Sequence, residues 1–125
     1  MNDLTAKSIG ASGEDLAAEE LAGKGYAIVE RNARVGKVEV DIIARRDSRL
    51  VIVEVKTRAA GHLDERFGID RDKVRRLCRA GATYVKSHNL PMEVQIDVIL
   101  ITNHADGRHE VEHLEDIALP PRRRR

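Results

Sequence analysis

Aromatic residues are nearly missing from this chain: one Phe, two Tyr and no Trp, together 2% of the sequence. A core built without them must be aliphatic, and base stacking on an aromatic platform is not the expected way to hold nucleic acid. Cysteine is as scarce. Cys78 is alone, which excludes an internal disulfide and suits a reducing compartment. No uninterrupted apolar run exceeds four residues, and residues 1–5 carry no apolar signal region. Neither a signal peptide nor a transmembrane helix is expected, and the cytoplasm is the expected location. A strong excess of one charge is also lacking. The net charge is +1, and four of the positive charges are Arg122 to Arg125. Subtracting those four from +1 leaves −3 for the body. Any contact with nucleic acid must therefore come from local patches.

What is present is a globular composition, 42% hydrophobic and 34% charged over 125 residues. That length fits one domain. It is expected over residues 1–119, with a Pro/Arg-rich, disordered tail over 120–125. Ser12 can cap a helix over about 13–24, with Glu14 and Asp15 in its first turn and Gly23 and Gly25 as a stop. Tyr26–Val29 reads as a short strand and 30–37 as a turn. Val38–Ala44 and Leu50–Thr57 read as an antiparallel hairpin around 45–49. A loop over 58–69 leads to a helix over about 70–88, capped by Asp70, with Val74, Leu77, Cys78, Gly81 and Val85 as its buried stripe. Val94–Thr102 is the most apolar strand, and Arg108–Leu114 returns after the Asp106-Gly107 turn. The order predicts an α/β fold with a central mixed sheet flanked by helices.

The chemistry-bearing residues cluster on the hairpin. Glu54 and Lys56 are two residues apart on a strand and share a face with Ile52. An antiparallel pairing brings the neighbouring strand, with Glu39 and Asp41, beside them. Grouped carboxylates repel unless a cation relieves them. Hard oxygen ligands of this kind hold Mg²⁺ or Mn²⁺, and a nearby lysine can orient a water and stabilise charge on a phosphate. The bland alternative is an amphipathic strand with a Glu/Lys pair on its surface.

At these residues the chain resembles a known pattern. Asp41, twelve intervening residues and then Glu54-Val55-Lys56 is similar to the PD-(D/E)xK nuclease signature. Over roughly residues 10–119 the chain resembles the YraN family, small bacterial proteins similar to archaeal Holliday-junction resolvases. The matching residues are Gly13-Glu14, Gly25-Tyr26, Arg31-Asn32, Glu39-Val40-Asp41, Val53 to Arg58, Lys73, Ala82, Tyr84 and Asp97-Val98. The resemblance implies a restriction-endonuclease-like fold and a metal-dependent endonuclease acting on DNA, including branched or non-duplex DNA. It implies Asp41 and Glu54 as metal ligands with the Val55 carbonyl as a third, Lys56 as the catalytic lysine, and Glu14 reaching the metal through water. The chain departs from the family at Val38, where glycine is usual, and at Gln95-Ile96, where Arg-Phe is favoured.

Arg58, Lys73 and Arg76 are candidate contacts to nucleic acid; for the helix residues a solvated face is the competing reading. The histidines read as surface residues, Cys78 as packing, and Asp97 as a structural residue paired with an arginine, with a place flanking the metal site as the competing reading. A homodimer is conceivable by analogy, since resolving a junction takes two cuts. A non-catalytic nucleic-acid- or partner-binding module on the same fold is the alternative function.

Overall fold

The computed structural model describes residues 13–62 and 67–117. The expected Ser12 cap and the arginine tail lie outside them. Helix α1 (Gly13–Gly23) is followed by β1 (Ala27–Val35), β2 (Val38–Arg46) and β3 (Arg49–Ala59). Helix α2 (Arg71–Ser87), β4 (Glu93–Asn103) and β5 (His109–Leu114) complete the order. The five strands form one mixed sheet in the order β1-β2-β3-β4-β5. β3 and β4 are parallel, joined through α2, and the other neighbours are antiparallel. This α/β arrangement, one helix against each face, is compatible with a nuclease-like fold.

Each face of the sheet has its own aliphatic core, as the dearth of aromatics requires. Ala17 and Leu21 of α1 pack on Ile42, Ala44, Val51, Val53, Ile99 and Ile101. Val74, Leu77, Ala80 and Tyr84 of α2 pack on Val40, Ile43, Leu50, Ile52 and Ile96. Gly81 lets α2 lie close, because a Cβ there would stand 2.6 Å from Val94 Cγ1. Gly13 does the same for α1, where a Cβ would run into the Thr57 side chain.

Several expectations are corrected. Residues 30–37 are not a turn: β1 runs to Val35, and the reversal is confined to Gly36-Lys37, with Gly36 at φ 63°. β1 is an edge strand with one partner, so Glu30, Arg31, Asn32 and Arg34 can occupy it while keeping their heads in water. The turn expected around Asp47 and Ser48 is there, confined to those two residues. Cys78 is exposed and outside the buried stripe, which passes through Ala80 and Tyr84 instead. The surface reading of the histidines fails at His113, whose side chain is only 1% exposed.

Asp97 is structural, but among the described residues no arginine pairs with it. It is fully buried on the α1 face, where its carboxylate accepts from Tyr26 Oη at 3.0 Å, Gln95 Nε2 at 2.9 Å and the Asp116 N–H at 2.9 Å. His113 Nε2 lies 2.7 Å from it. Since a carboxylate only accepts, this nitrogen carries the proton, leaving Nδ1 to accept from Lys24 Nζ at 3.0 Å. The network ties β1, β4, β5 and the end of α1 together.

Burial raises the Asp97 pKa, but His113, the Asp116 N–H, Gln95 and Tyr26 outweigh it and hold the carboxyl below its usual range. A depressed pKa contributes stability above the unfolded value of about 4 and loses it as pH falls through the folded value. Asp97→Ala is expected to lower unfolding free energy by about 3 kcal/mol at neutral pH. The gap between variant and parent should narrow as the pH drops below about 4, as urea denaturation across pH can determine.

Candidate active site

The site begins where β2 and β3 part. Their ladder runs from Arg46↔Arg49 to Ile42↔Val53 and stops there. One residue on, the Asp41 carboxylate replaces the next backbone acceptor: its Oδ2 takes the Val55 N–H at 2.8 Å. Side-chain alternation slips by one at this point. Val40 belongs to the core under α2, whereas Ile42 belongs to the core under α1. Asp41 is thereby released from either face and directed across the gap. The opposing residue on β1 is Asn32, flanked by the pairs Arg31↔Ile42 and Ala33↔Val40, and it takes a left-handed backbone at φ 53°. Asparagine tolerates that region better than most residues. Both strands are irregular at the same level.

Glu54 follows on β3. Its side chain is 7% exposed, and Oε2 forms an ion pair with Lys73 Nζ at 3.1 Å, with Lys56 Nζ at 3.9 Å. Oε1 is buried and, among the described residues, has no hydrogen-bond partner. The Asp41 carboxyl is within hydrogen-bonding reach of Glu54. Burial, then the Glu54 charge, push the Asp41 pKa up to about 6 against the pull of the Val55 N–H and Lys73. Within a strand the N–H and C=O of one residue point to the same side. The Val55 carbonyl therefore faces the gap that its N–H already shares with Asp41.

The structure brings Asp41, Glu54, Val55 and Lys56 together. It adds Lys73, read from sequence as a nucleic-acid contact, directly to the carboxylates. Asp70 Oδ1 caps α2 by accepting from the Asp72 and Lys73 N–H groups at 3.1 and 3.2 Å, which fixes Lys73 in the first helical turn beside β3. The sequence signal was available in that cap, three residues before a lysine. Glu54, Lys56, Gly68, Asp70 and Lys73 line a narrow cleft of about 10 Å³.

The remaining candidates make other contacts or face solvent. Glu39 does not join the carboxylates: it is exposed and pairs with Arg34 at 2.9 Å. Glu14 is held by Arg31 Nε at 3.2 Å and Asn32 Nδ2 at 2.9 Å, one strand away from Asp41. Arg58 donates from Nε to Thr102 Oγ1 at 3.3 Å and lies over the Phe67 ring. Arg76 is exposed on α2. Among the described residues, no group of three or more His, Cys, Asp or Glu forms a metal-type cluster.

The donor set fits a hard divalent cation. It offers two clustered carboxylates, an unpartnered buried oxygen at Glu54 Oε1 and a carbonyl turned to the same gap.

A mixed five-stranded sheet flanked by two helices makes this an α/β protein compatible with a nuclease-like fold. Its family follows from comparison. Residues 13–101 match the model of the uncharacterised protein family UPF0102. A UPF0102 protein of Flavobacterium psychrophilum is 41% identical over 113 residues, covering 86% of this chain and 91% of that one. One from Pseudarthrobacter chlorophenolicus is 41% identical over 114 residues, with 88% and 85% covered, and one from Bacteroides fragilis is 36% identical over 118, with 90% and 93% covered. The chain belongs to the UPF0102 family, also called YraN. No helix among the described residues is long and apolar enough to cross a membrane.

The raised Asp41 pKa has a thermodynamic consequence. A carboxyl whose folded pKa lies above its unfolded value contributes stability at low pH and loses it as pH rises through about 6. Asp41→Asn keeps an acceptor for the Val55 N–H but removes the charge. At pH 7.5 in EDTA it is expected to be more stable than the parent by roughly 1 kcal/mol, a figure discounted for the solvent that still reaches this group. The difference should vanish below about pH 4. Thermal melts of both proteins across pH measure it.

Proposed function

We propose that this protein is a divalent-metal-dependent nuclease that hydrolyses phosphodiester bonds in DNA, with branched or otherwise non-duplex DNA as its substrate class. The observation that carries this reading is the unpartnered, buried Glu54 Oε1 beside the Asp41 carboxyl. A buried acceptor left without a donor costs about 1–3 kcal/mol, and clustered carboxylates add repulsion. A fold retains such an arrangement at a site whose chemistry uses it.

Asp41 and Glu54 would hold Mg²⁺ or Mn²⁺, with the Val55 carbonyl completing the protein's contribution. When bound, the ion supplies a water of lowered pKa and a positive charge against the phosphate. Lys56, one residue beyond Val55 and on the Glu54 face, would orient that water and donate to a phosphate oxygen. Lys73 approaches the same carboxylate from α2, where its charge offsets part of the carboxylate repulsion and can meet the phosphate. Glu14 orients Arg31 and Asn32 on the strand opposite Asp41, a supporting position. Arg58 and Arg76 provide positive charge on the strand and helix that flank the cleft, suited to phosphate contacts.

A non-catalytic binding module is the second reading, favoured by the Lys73–Glu54 ion pair at 3.1 Å. If that pair persists when DNA binds, the lysine takes the place a cation would need.

The two readings separate on a panel of branched, flapped, single-stranded and duplex DNA incubated with Mg²⁺ or Mn²⁺. The nuclease reading expects cleavage that EDTA abolishes. Asp41→Asn and Glu54→Gln are expected to lower the rate by at least about 100-fold, consistent with losing a transition-state interaction worth about 3 kcal/mol. An uncut panel, or variants that cut as well as the parent, would contradict it.

A further inference from the structure

The chain's only phenylalanine is not in the core. Phe67 lies half-buried in the segment before α2, and Arg58 stacks over it with its guanidinium carbon 4.2 Å from the ring centroid. The hydrogen bond from Arg58 Nε to Thr102 Oγ1 fixes the plane of that guanidinium. Beside this pair a trough of about 260 Å³ opens across β3, β4 and β5, lined also by Leu100, Glu110 and Glu112. Ligand pockets for drug-sized molecules start at about 300 Å³, so the trough suits a smaller planar group. Arg58 is four residues beyond Glu54 on the same strand and the same face, about 13 Å along it at a rise near 3.3 Å per residue.

The charges decide what the trough can accept. Glu110 and Glu112 would repel a phosphate, so Arg58 is not set here for phosphate alone. Carboxylates accept hydrogen bonds from the exocyclic amino groups of cytosine, adenine and guanine. A planar guanidinium and an aromatic ring are the surfaces on which an unpaired base stacks. Low aromatic content argues against an extended stacking platform; a single Arg–Phe pair needs only one ring.

We propose that the Arg58–Phe67 trough is a subsite for one unpaired, amino-bearing nucleobase of a DNA strand whose phosphate lies at the Asp41–Glu54 cleft. This deepens the nuclease reading and rests on it for the position of the phosphate. A base buried in a duplex cannot enter, so the subsite selects DNA that is unpaired next to the scissile bond. Thymine, which lacks the amino group, should be held less well than cytosine.

The test is binding of fluorescently labelled oligodeoxycytidine, oligothymidine and a blunt duplex, read by anisotropy in EDTA so that no cleavage intervenes. The parent should bind oligodeoxycytidine more tightly than the other two. Phe67→Ala should weaken that binding about tenfold, as loss of one base stack predicts, and leave duplex binding unchanged. Phe67→Tyr should restore it, and matched melting temperatures establish that both variants fold. Equal binding by parent and Phe67→Ala, or an equal loss on duplex, would overturn the subsite. The two ideas fail separately. A Phe67 effect in a protein that cuts nothing with Mg²⁺ leaves the subsite and removes catalysis; metal-dependent cleavage without a Phe67 effect does the reverse.

Discussion

Two carboxyl groups brought within hydrogen-bonding reach in a poorly solvated place cannot both be ionised cheaply. The arrangement of this molecule around Asp41 and Glu54 follows from that constraint. β2 and β3 separate so that the Asp41 side chain can enter the gap and take the Val55 N–H. β1 adapts with a left-handed Asn32 at the same level. Asp70 caps α2 and so sets Lys73 against Glu54. Even so, the Asp41 pKa stays near 6 and Glu54 Oε1 stays without a partner. The local charges reduce the repulsion and do not remove it.

The opposite face of the sheet shows what a fully satisfied buried carboxylate looks like in the same fold. Asp97 is at least as deeply buried, yet His113, Tyr26, Gln95 and the Asp116 N–H saturate it, and its pKa falls below the usual range. One carboxylate ties strands together. The other pair is left short of donors, on the face where a cleft reaches solvent. The contrast within one sheet favours a functional explanation for Asp41 and Glu54 over a packing accident.

Strand alternation alone made part of this legible in the sequence. Glu54 and Lys56 had to share a face with Ile52, and they do. The Asp70 cap, the Asp47-Ser48 reversal and the two helices followed from local chemistry that needs no tertiary context. β1 did not, because an edge strand tolerates polar residues that read as a turn. Cys78 was misread because the helix turns its stripe toward Ala80 and Tyr84, small and large side chains that fit under the sheet. His113 and its buried network were missed since the partners, Lys24, Tyr26 and Asp97, come from three distant segments. Glu39 was grouped with Asp41 on regular alternation, which the strand irregularity breaks. The same irregularity is what frees Asp41, so the least predictable backbone in the chain is the part that makes the site. Val38 makes an ordinary strand start, paired with Val35 across the Gly36-Lys37 turn.

In the proposed function, the Asp41–Glu54 pair receives a divalent cation. Isothermal titration of Mn²⁺ into the metal-free protein near pH 7.5 tests it without depending on any substrate. Binding is expected that Asp41→Asn and Glu54→Gln each abolish, with proton release that grows as the pH is lowered toward 6, where Asp41 is increasingly protonated. Absence of binding, or binding of equal strength in both variants, would contradict it.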